Sequence, residues 1–397
     1  MKQLSDRINN LSESQTIAMS KKSREMSERG MDVISLSLGE PDFHTPDFIK
    51  EAAKKAIDDN FTSYPPIAGY EDLRKAISHK FKRDNDLDYS PEQIVVSTGA
   101  KQSIANVVLC TVNPGDEVLL PTPYWVTYHE IVKLAGGIPV KIPTKIENDF
   151  KITGEELEQY VTNHTRMMIF STPCNPSGSM YTGEELQDLA RVVKLHEDFL
   201  VISDEIYEYI CFEGTHISLA SFKAIQHQVV TVNGVSKGFA MTGWRIGYIG
   251  APLWLARACD KMQGQFTSAA SGISQKAAQA AIEADPSVIN HMRDAFKKRR
   301  DLVLELLKEV PGFKTNLPQG AFYIFPNVAE LYGKSFEDRK IRNSSDLCMY
   351  LIEEGRVGLV PGDAFGSPEC LRISYATSED QLTEAIKRIK EAILKLK

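Results

Sequence analysis

Lys237 stands in a loop of small residues, Gly234-Val235-Ser236-Lys237-Gly238, directly after the apolar run Val229–Asn233. A lysine in a Gly/Ser-rich loop is ordinarily a solvated turn residue. Its neighbours here argue otherwise. Ser236 offers a hydroxyl and Arg245, shortly beyond Gly243, a forked guanidinium, and both suit a phosphate. Small flanking residues allow a bulky ligand close. An amine beside a phosphate site at a strand end is the arrangement for a Schiff base with an aldehyde cofactor.

Three further strand-to-loop junctions carry polar residues. Phe199–Ser203 leads into Asp204-Glu205-Ile206-Tyr207, where an Asp commonly caps the next helix. Ser171-Thr172-Pro173-Cys174-Asn175-Pro176 has the form of a proline-fixed turn. Ser97-Thr98-Gly99-Ala100-Lys101 opens a helix running toward Val112, so the free amides of Gly99 and Ala100 face an anion and complete a phosphate cup with Ser236 and Arg245. Lys101 falls in the first turn of that helix, the electrostatically unfavourable end for a cation. Trp125 follows Pro121-Thr122-Pro123-Tyr124 at a helix start, a position more often used for core packing.

The elements that must hold these residues read as a mostly parallel α/β sheet. Apolar runs at Gln93–Ser97, Glu117–Leu120, Arg166–Ser171, Phe199–Ser203, Val229–Asn233 and Arg245–Gly250 alternate with amphipathic helix-length stretches. In such a sheet ligands bind beyond the carboxyl ends of the strands, where the four junctions lie. Thr45 and Pro46 read as the cap and first turn of the region's first helix. Residues 46–284 form a large domain by this reading, and 1–45 with 285–397 a smaller α+β unit. The latter holds a long charged helix near Val288–Val310, strands near Ala321–Phe325 and Leu371–Tyr375, and a closing helix capped by Ser378 with Leu382, Ile386, Ile389 and Ile393 on one face.

The chain has 397 residues, 42% hydrophobic and 25% charged, with a net charge of −7. That length exceeds one core's usual reach and supports two domains. An acidic balance gives no field for nucleic acid or anionic lipid. The polar start MKQLSDRINNLSESQ lacks a secretory apolar core, and no run reaches the length of a membrane span, so a cytoplasmic protein is expected. Six cysteines without a CxxC pair or Cys/His cluster read as reduced thiols, with no metal site.

Ser236-Lys237 followed by Met241-x-Gly243-Trp244-Arg245 resembles the cofactor-lysine motif of the fold-type I, class I pyridoxal phosphate aminotransferases, and the resemblance extends over nearly the whole chain. It implies the fold-type I architecture, with Lys237 as the Schiff-base lysine and proton-transfer base. Asp204 would meet the pyridine nitrogen, Tyr207 and Asn175 the phenolic oxygen, and Trp125 the ring face. Gly99, Ala100, Ser236 and Arg245 would hold the phosphate. Tyr64 is similar to a tyrosine that reaches the partner subunit's phosphate, which implies a homodimer with shared sites. Arg372 and the Gly39 backbone would take the substrate α-carboxylate. In the bacterial aspartate aminotransferase subgroup, which this sequence most resembles, a lysine at the position of Lys101 pairs with the side-chain carboxylate, helped here by Ser14 and Thr16. The resemblance therefore implies transfer from L-aspartate to 2-oxoglutarate by ping-pong kinetics. Prephenate, aromatic or alanine specificity, a C–S β-lyase, and a cofactor-sensing regulator are the alternatives. The last would add a basic DNA-binding module.

Overall fold

The computed structural model describes residues 4–397. Its centre is a seven-stranded sheet of β1 Ile94–Ser97, β2 Glu117–Pro121, β3 Ile138–Ile142, β4 Thr165–Ser171, β5 Leu200–Asp204, β6 Val229–Gly234 and β7 Gly247–Gly250. The order across the sheet is β1-β7-β6-β5-β4-β2-β3. Every neighbouring pair is parallel except those made by β7, which runs against both β1 and β6.

Successive side chains on a strand point to opposite faces, so a strand covered on both sides must be apolar throughout. The central strands obey this, and their alternation sorts them into two cores. Val95, Val118, Leu120, Ile169, Ile202 and Val230 join one cluster, while Ile94, Val96, Leu119, Met168, Val201 and Val229 join the other. Helix α2 Ala100–Thr111, α3 Val126–Ala135 and α4 Leu253–Phe266 contribute Ile104, Val132 and Leu255 to the first core.

Two strand expectations shift. β3 was not anticipated, because it is the sheet edge and its residues run exposed, half-buried, half-buried, exposed, buried, without the unbroken apolar signal. β7 begins at Gly247 rather than Arg245, whose φ of +57° is left-handed and breaks the extended run. Thr45 is not a helix cap either. The helix Asp47–Asp58 has no side-chain cap, and the Thr45 hydroxyl donates to the Ala240 carbonyl at 2.7 Å instead.

The remainder stands at one end of the sheet. α1 Gln15–Glu28 precedes the short strand Ile34–Ser35, which pairs in parallel with Val357–Gly358. β8 Tyr323–Ile324, β9 Val360–Pro361 and β10 Leu371–Ser374 form an antiparallel trio. The long helix starts as a 3-10 turn capped by Asp285 and continues as α5 Asn290–Leu307. α6 Glu379–Ile393 is capped by the Ser378 hydroxyl, and Leu382, Ile386, Ile389 and Ile393 are all buried. No helix among the described residues is long and apolar enough to cross a membrane.

Candidate active site

The carboxyl ends of β1, β4, β5 and β6 open on one cavity of about 280 Å³. Beyond β6 stand Ser236 and Lys237, beyond β5 Asp204 and Tyr207, beyond β4 Asn175, and beyond β1 Ala100 and Lys101. Trp125, the residue before α3, forms part of the wall, and Ser14, Thr16 and Gly39 close it from the N-terminal segment. Gly99 and Arg372 stand just behind this lining. Tyr64 is elsewhere, with 97% of its surface exposed.

The Lys237 Nζ donates to the Gly39 carbonyl at 2.6 Å. Burial brings its pKa down to about 8, with Arg372 and Arg245 pushing the same way and Glu40 opposing. A neutral amine is therefore accessible near physiological pH. Asp204 is displaced in the opposite direction. Burial lifts its carboxyl to about 6, against the Tyr128 hydroxyl, which donates at 2.6 Å, and the Ile206 amide at 3.2 Å. Two titratable groups whose environments push both toward their neutral forms face one cavity, as functional sites often require. Tyr207 is buried and shares a 2.7 Å hydrogen bond with the Tyr323 hydroxyl. Burial raises its phenol well above the ordinary value.

The anion cup is built by sterics as much as by charge. Gly99 has a φ of +84°, and a Cβ there would overlap the Arg245 guanidinium. A Cβ on Gly247 would overlap the Ala100 amide. Arg245 itself donates to the carbonyls of Thr242 at 3.0 Å and Thr98 at 3.4 Å. No carboxylate among the described residues pairs with it. The Lys101 ammonium hangs 5.0 Å over the Trp125 ring, and desolvation followed by Arg245 lowers its pKa. Trp125 meets Tyr128 edge to face at 5.5 Å.

Arg372, on β10, is 1% exposed. It donates to Asn175 Oδ1 at 2.9 Å and to the Ser37 carbonyl at 2.6 Å, and its carbon lies 4.5 Å from the Tyr323 ring and 5.1 Å from the Phe365 ring. Its Nε has no partner, and among the described residues no carboxylate balances it. Burying an uncompensated guanidinium is costly, so this position is suited to an incoming anion.

Tyr128 and Tyr323 escaped the sequence reading, although both touch residues it selected. Tyr128 could have been found, since it lies one helical turn after Trp125 and so on the same face. Tyr323 carried no local signal, because its contact to Tyr207 spans the two parts of the chain. The residue group with metal-like proximity, Glu205, Glu208 and His216, is already internally balanced. Glu205 is held by Ser203, Ser218 and His216 at 2.8, 2.7 and 3.0 Å, and Glu208 is paired with the buried Lys80.

Residues 31–389 match the family model described as aminotransferase class I and II. A bifunctional aspartate aminotransferase and glutamate/aspartate-prephenate aminotransferase of Petunia hybrida is 47% identical over 99% of this chain and 83% of its own length. An aspartate/prephenate aminotransferase of Nitrosomonas europaea is 43% identical over 97% of this chain and 98% of its own. Among solved structures, the aspartate aminotransferase from Rhizobium meliloti superposes with a TM-score of 0.96 at 39% identity, covering all of both chains. That from Thermus thermophilus, solved with maleate, gives 0.93 at 37% identity over 99% of this chain and all of its own. A cavity at the strand ends, an amine poised to lose its proton and a steric cup for an anion thus sit on a matching fold, and the chain belongs to the class I and II aminotransferase family.

Proposed function

We propose that this protein transfers the amino group of L-aspartate to 2-oxoglutarate, releasing oxaloacetate and L-glutamate. The reading rests on one observation: beside Arg245 in the phosphate cup, the site presents two further cations, Arg372 and Lys101, and no carboxylate among the described residues pairs with either. A substrate with two carboxylates compensates both at once.

The family works with pyridoxal phosphate, and the residues present fit it. Overlap of a Gly99 Cβ with Arg245 shows a cradle shaped for something other than a side chain, and its donors suit a phosphate. Gly99, Ala100, Ser236 and Arg245 would hold that phosphate, Asp204 the ring nitrogen, Tyr207 and Asn175 the phenolic oxygen, and Trp125 the ring face. When bound, the cofactor supplies an aldehyde carbon that takes up amines and a ring that withdraws electrons.

The chain's own residues do the rest. Lys237, which donates to Gly39 and lines the cavity floor, offers its amine to the aldehyde and serves as the base that takes a proton from the substrate's α-carbon. Asp204, whose carboxylate a protonated ring nitrogen would stabilise, would hold the proton on that nitrogen, and Tyr128 fixes its direction. Arg372, wedged between two aromatic rings, orients the α-carboxylate, with the Gly39 backbone beside it. Lys101, aided by Ser14 and Thr16, takes the distal carboxylate. One product leaves before the second substrate enters, so the kinetics are ping-pong.

A homodimer is part of this reading. Tyr64, almost wholly exposed in the single chain, would serve the partner's phosphate. Six unpaired cysteines suit a reducing cytoplasm. Division into 46–284 and the two chain ends is supported by the pairing of Ile34 with Val357.

Visible absorption of the purified protein with aspartate, followed by rates with a panel of donors, tests the assignment. Aspartate ranking far below alanine or an aromatic donor would defeat it. Prephenate is also a dicarboxylic oxo acid and is named in the Petunia and Nitrosomonas relatives. It is the second acceptor to assay. Sulfide release from cystathionine without any amino acceptor would instead favour the lyase.

A further inference from the structure

The helix that opens the anion cup is stitched to a neighbour by a regular ladder. α2 and α4 pack side by side in opposite directions, and the contacts step down both by one helical turn at a time. Gln102 Nε2 donates to Thr267 Oγ1 at 2.5 Å, then Asn106 Nδ2 donates to Gln263 Oε1 at 3.1 Å. Moving four residues further along α2 and four back along α4 brings Cys110 opposite Cys259 at the edge of the same core cluster. Cysteine side chains are short, so facing cysteines on helices this closely stitched are placed for a disulfide to span them.

The two thiols differ in access. Cys259 is fully buried. Cys110 is half-buried and opens on a surface depression walled by Asn113, Asp116, His164 and Arg166, at the end of α2 remote from the cup. The contact from Cys259 lowers the Cys110 pKa and raises that of Cys259. The reachable thiol is thus the one that meets an oxidant first.

We propose that Cys110 and Cys259 form an oxidation site in which Cys110 reacts with hydrogen peroxide and Cys259 resolves the product into a disulfide. The Cys110 sulfur attacks one peroxide oxygen, the O–O bond breaks, and hydroxide leaves to become water. Cys110 is then a sulfenic acid. The Cys259 sulfur attacks the Cys110 sulfur, the S–O bond breaks, and the departing hydroxide takes the Cys259 proton as a second water. Two electrons pass from the thiol pair to one peroxide. The cross-link joins the far end of α2 to the middle of α4 and spares Cys110 the irreversible sulfinic state. None of the proposed cofactor or substrate groups takes part.

Treating the holoenzyme with peroxide, alkylating, digesting without reductant and analysing by mass spectrometry tests this. A Cys110–Cys259 linked peptide that dithiothreitol abolishes is expected. Cys259→Ser should trap Cys110 as a sulfenic acid that dimedone labels, and Cys110→Ser should leave Cys259 a free thiol. Both variants should keep aspartate turnover within twofold, which shows that they fold. Sulfinic acid on Cys110 with Cys259 still free in the parent protein would overturn the proposal. So would a disulfide involving another cysteine, undiminished oxidation of Cys259 in Cys110→Ser, or no oxidation of either thiol.

Discussion

The floor and the roof of the cavity are built by different rules. The floor, Asp204 with Tyr128 and Tyr207 with Tyr323, is buried, and each polar group is fixed by a named partner. It hangs on strand ends that two cores clamp from either side. The roof is made from the N-terminal segment. Ser14 starts α1 without making a side-chain cap, and Lys101, on the same cavity wall, is exposed and lies over the Trp125 ring with no carboxylate partner among the described residues. Fixed groups suit the chemistry common to a family, whereas loosely held ones suit discrimination among substrates.

Mutations should separate the two regions. Lys237→Ala removes the base and the amine together, and kcat for aspartate should fall by about ten-thousandfold or more. A variant retaining more than a hundredth of the activity would mean that the floor is not the reaction centre. Asp204→Asn and Arg372→Leu each take away a buried charge that the bound ligands would compensate, and each should cost roughly a thousandfold in kcat/KM. The Asp204 change should lower rates for every donor alike.

Tyr128→Phe tests the floor more finely. It deletes one hydrogen bond to a carboxylate, so the Asp204 pKa in the apoprotein should move further above about 6 and kcat should fall roughly tenfold. An unchanged titration would show that the bond is idle. The pH dependence of Lys237 follows from its depressed pKa. Only the neutral amine reacts, so cofactor uptake by apoprotein should be flat above about pH 8 and fall tenfold per unit below it. A midpoint near 10 would contradict the burial argument. The smallest effect belongs to the roof. Lys101→Ser should lower kcat/KM for aspartate by only a few-fold, because an exposed ion pair contributes little, and should leave alanine unchanged. An equal loss for both donors would assign Lys101 to the floor.

How much of this was visible beforehand follows the same division. Strand ends announce themselves through apolar runs that stop at polar residues, which is why Lys237, Asp204, Asn175 and Ala100 were found together around one cavity. The edge strand β3 and the partners Tyr128 and Tyr323 were not found. An edge lacks the unbroken apolar run, and a contact such as Tyr207 to Tyr323 depends on how distant segments pack. Arg372 on a strand looks like a surface residue until the fold buries it between Tyr323 and Phe365. Its role came through resemblance alone.

The bond from Arg372 to the Ser37 carbonyl joins residues 335 positions apart. On the ribosome the first partner is made long before the second, and at about 5–20 residues per second the wait is tens of seconds. Ile34–Ser35 likewise has no strand to pair with until Val357 has emerged. The central sheet can be complete before Tyr323, Val357 and Arg372 are made, so the nascent protein has its strand ends in place but no means of gripping an α-carboxylate until Arg372 has emerged.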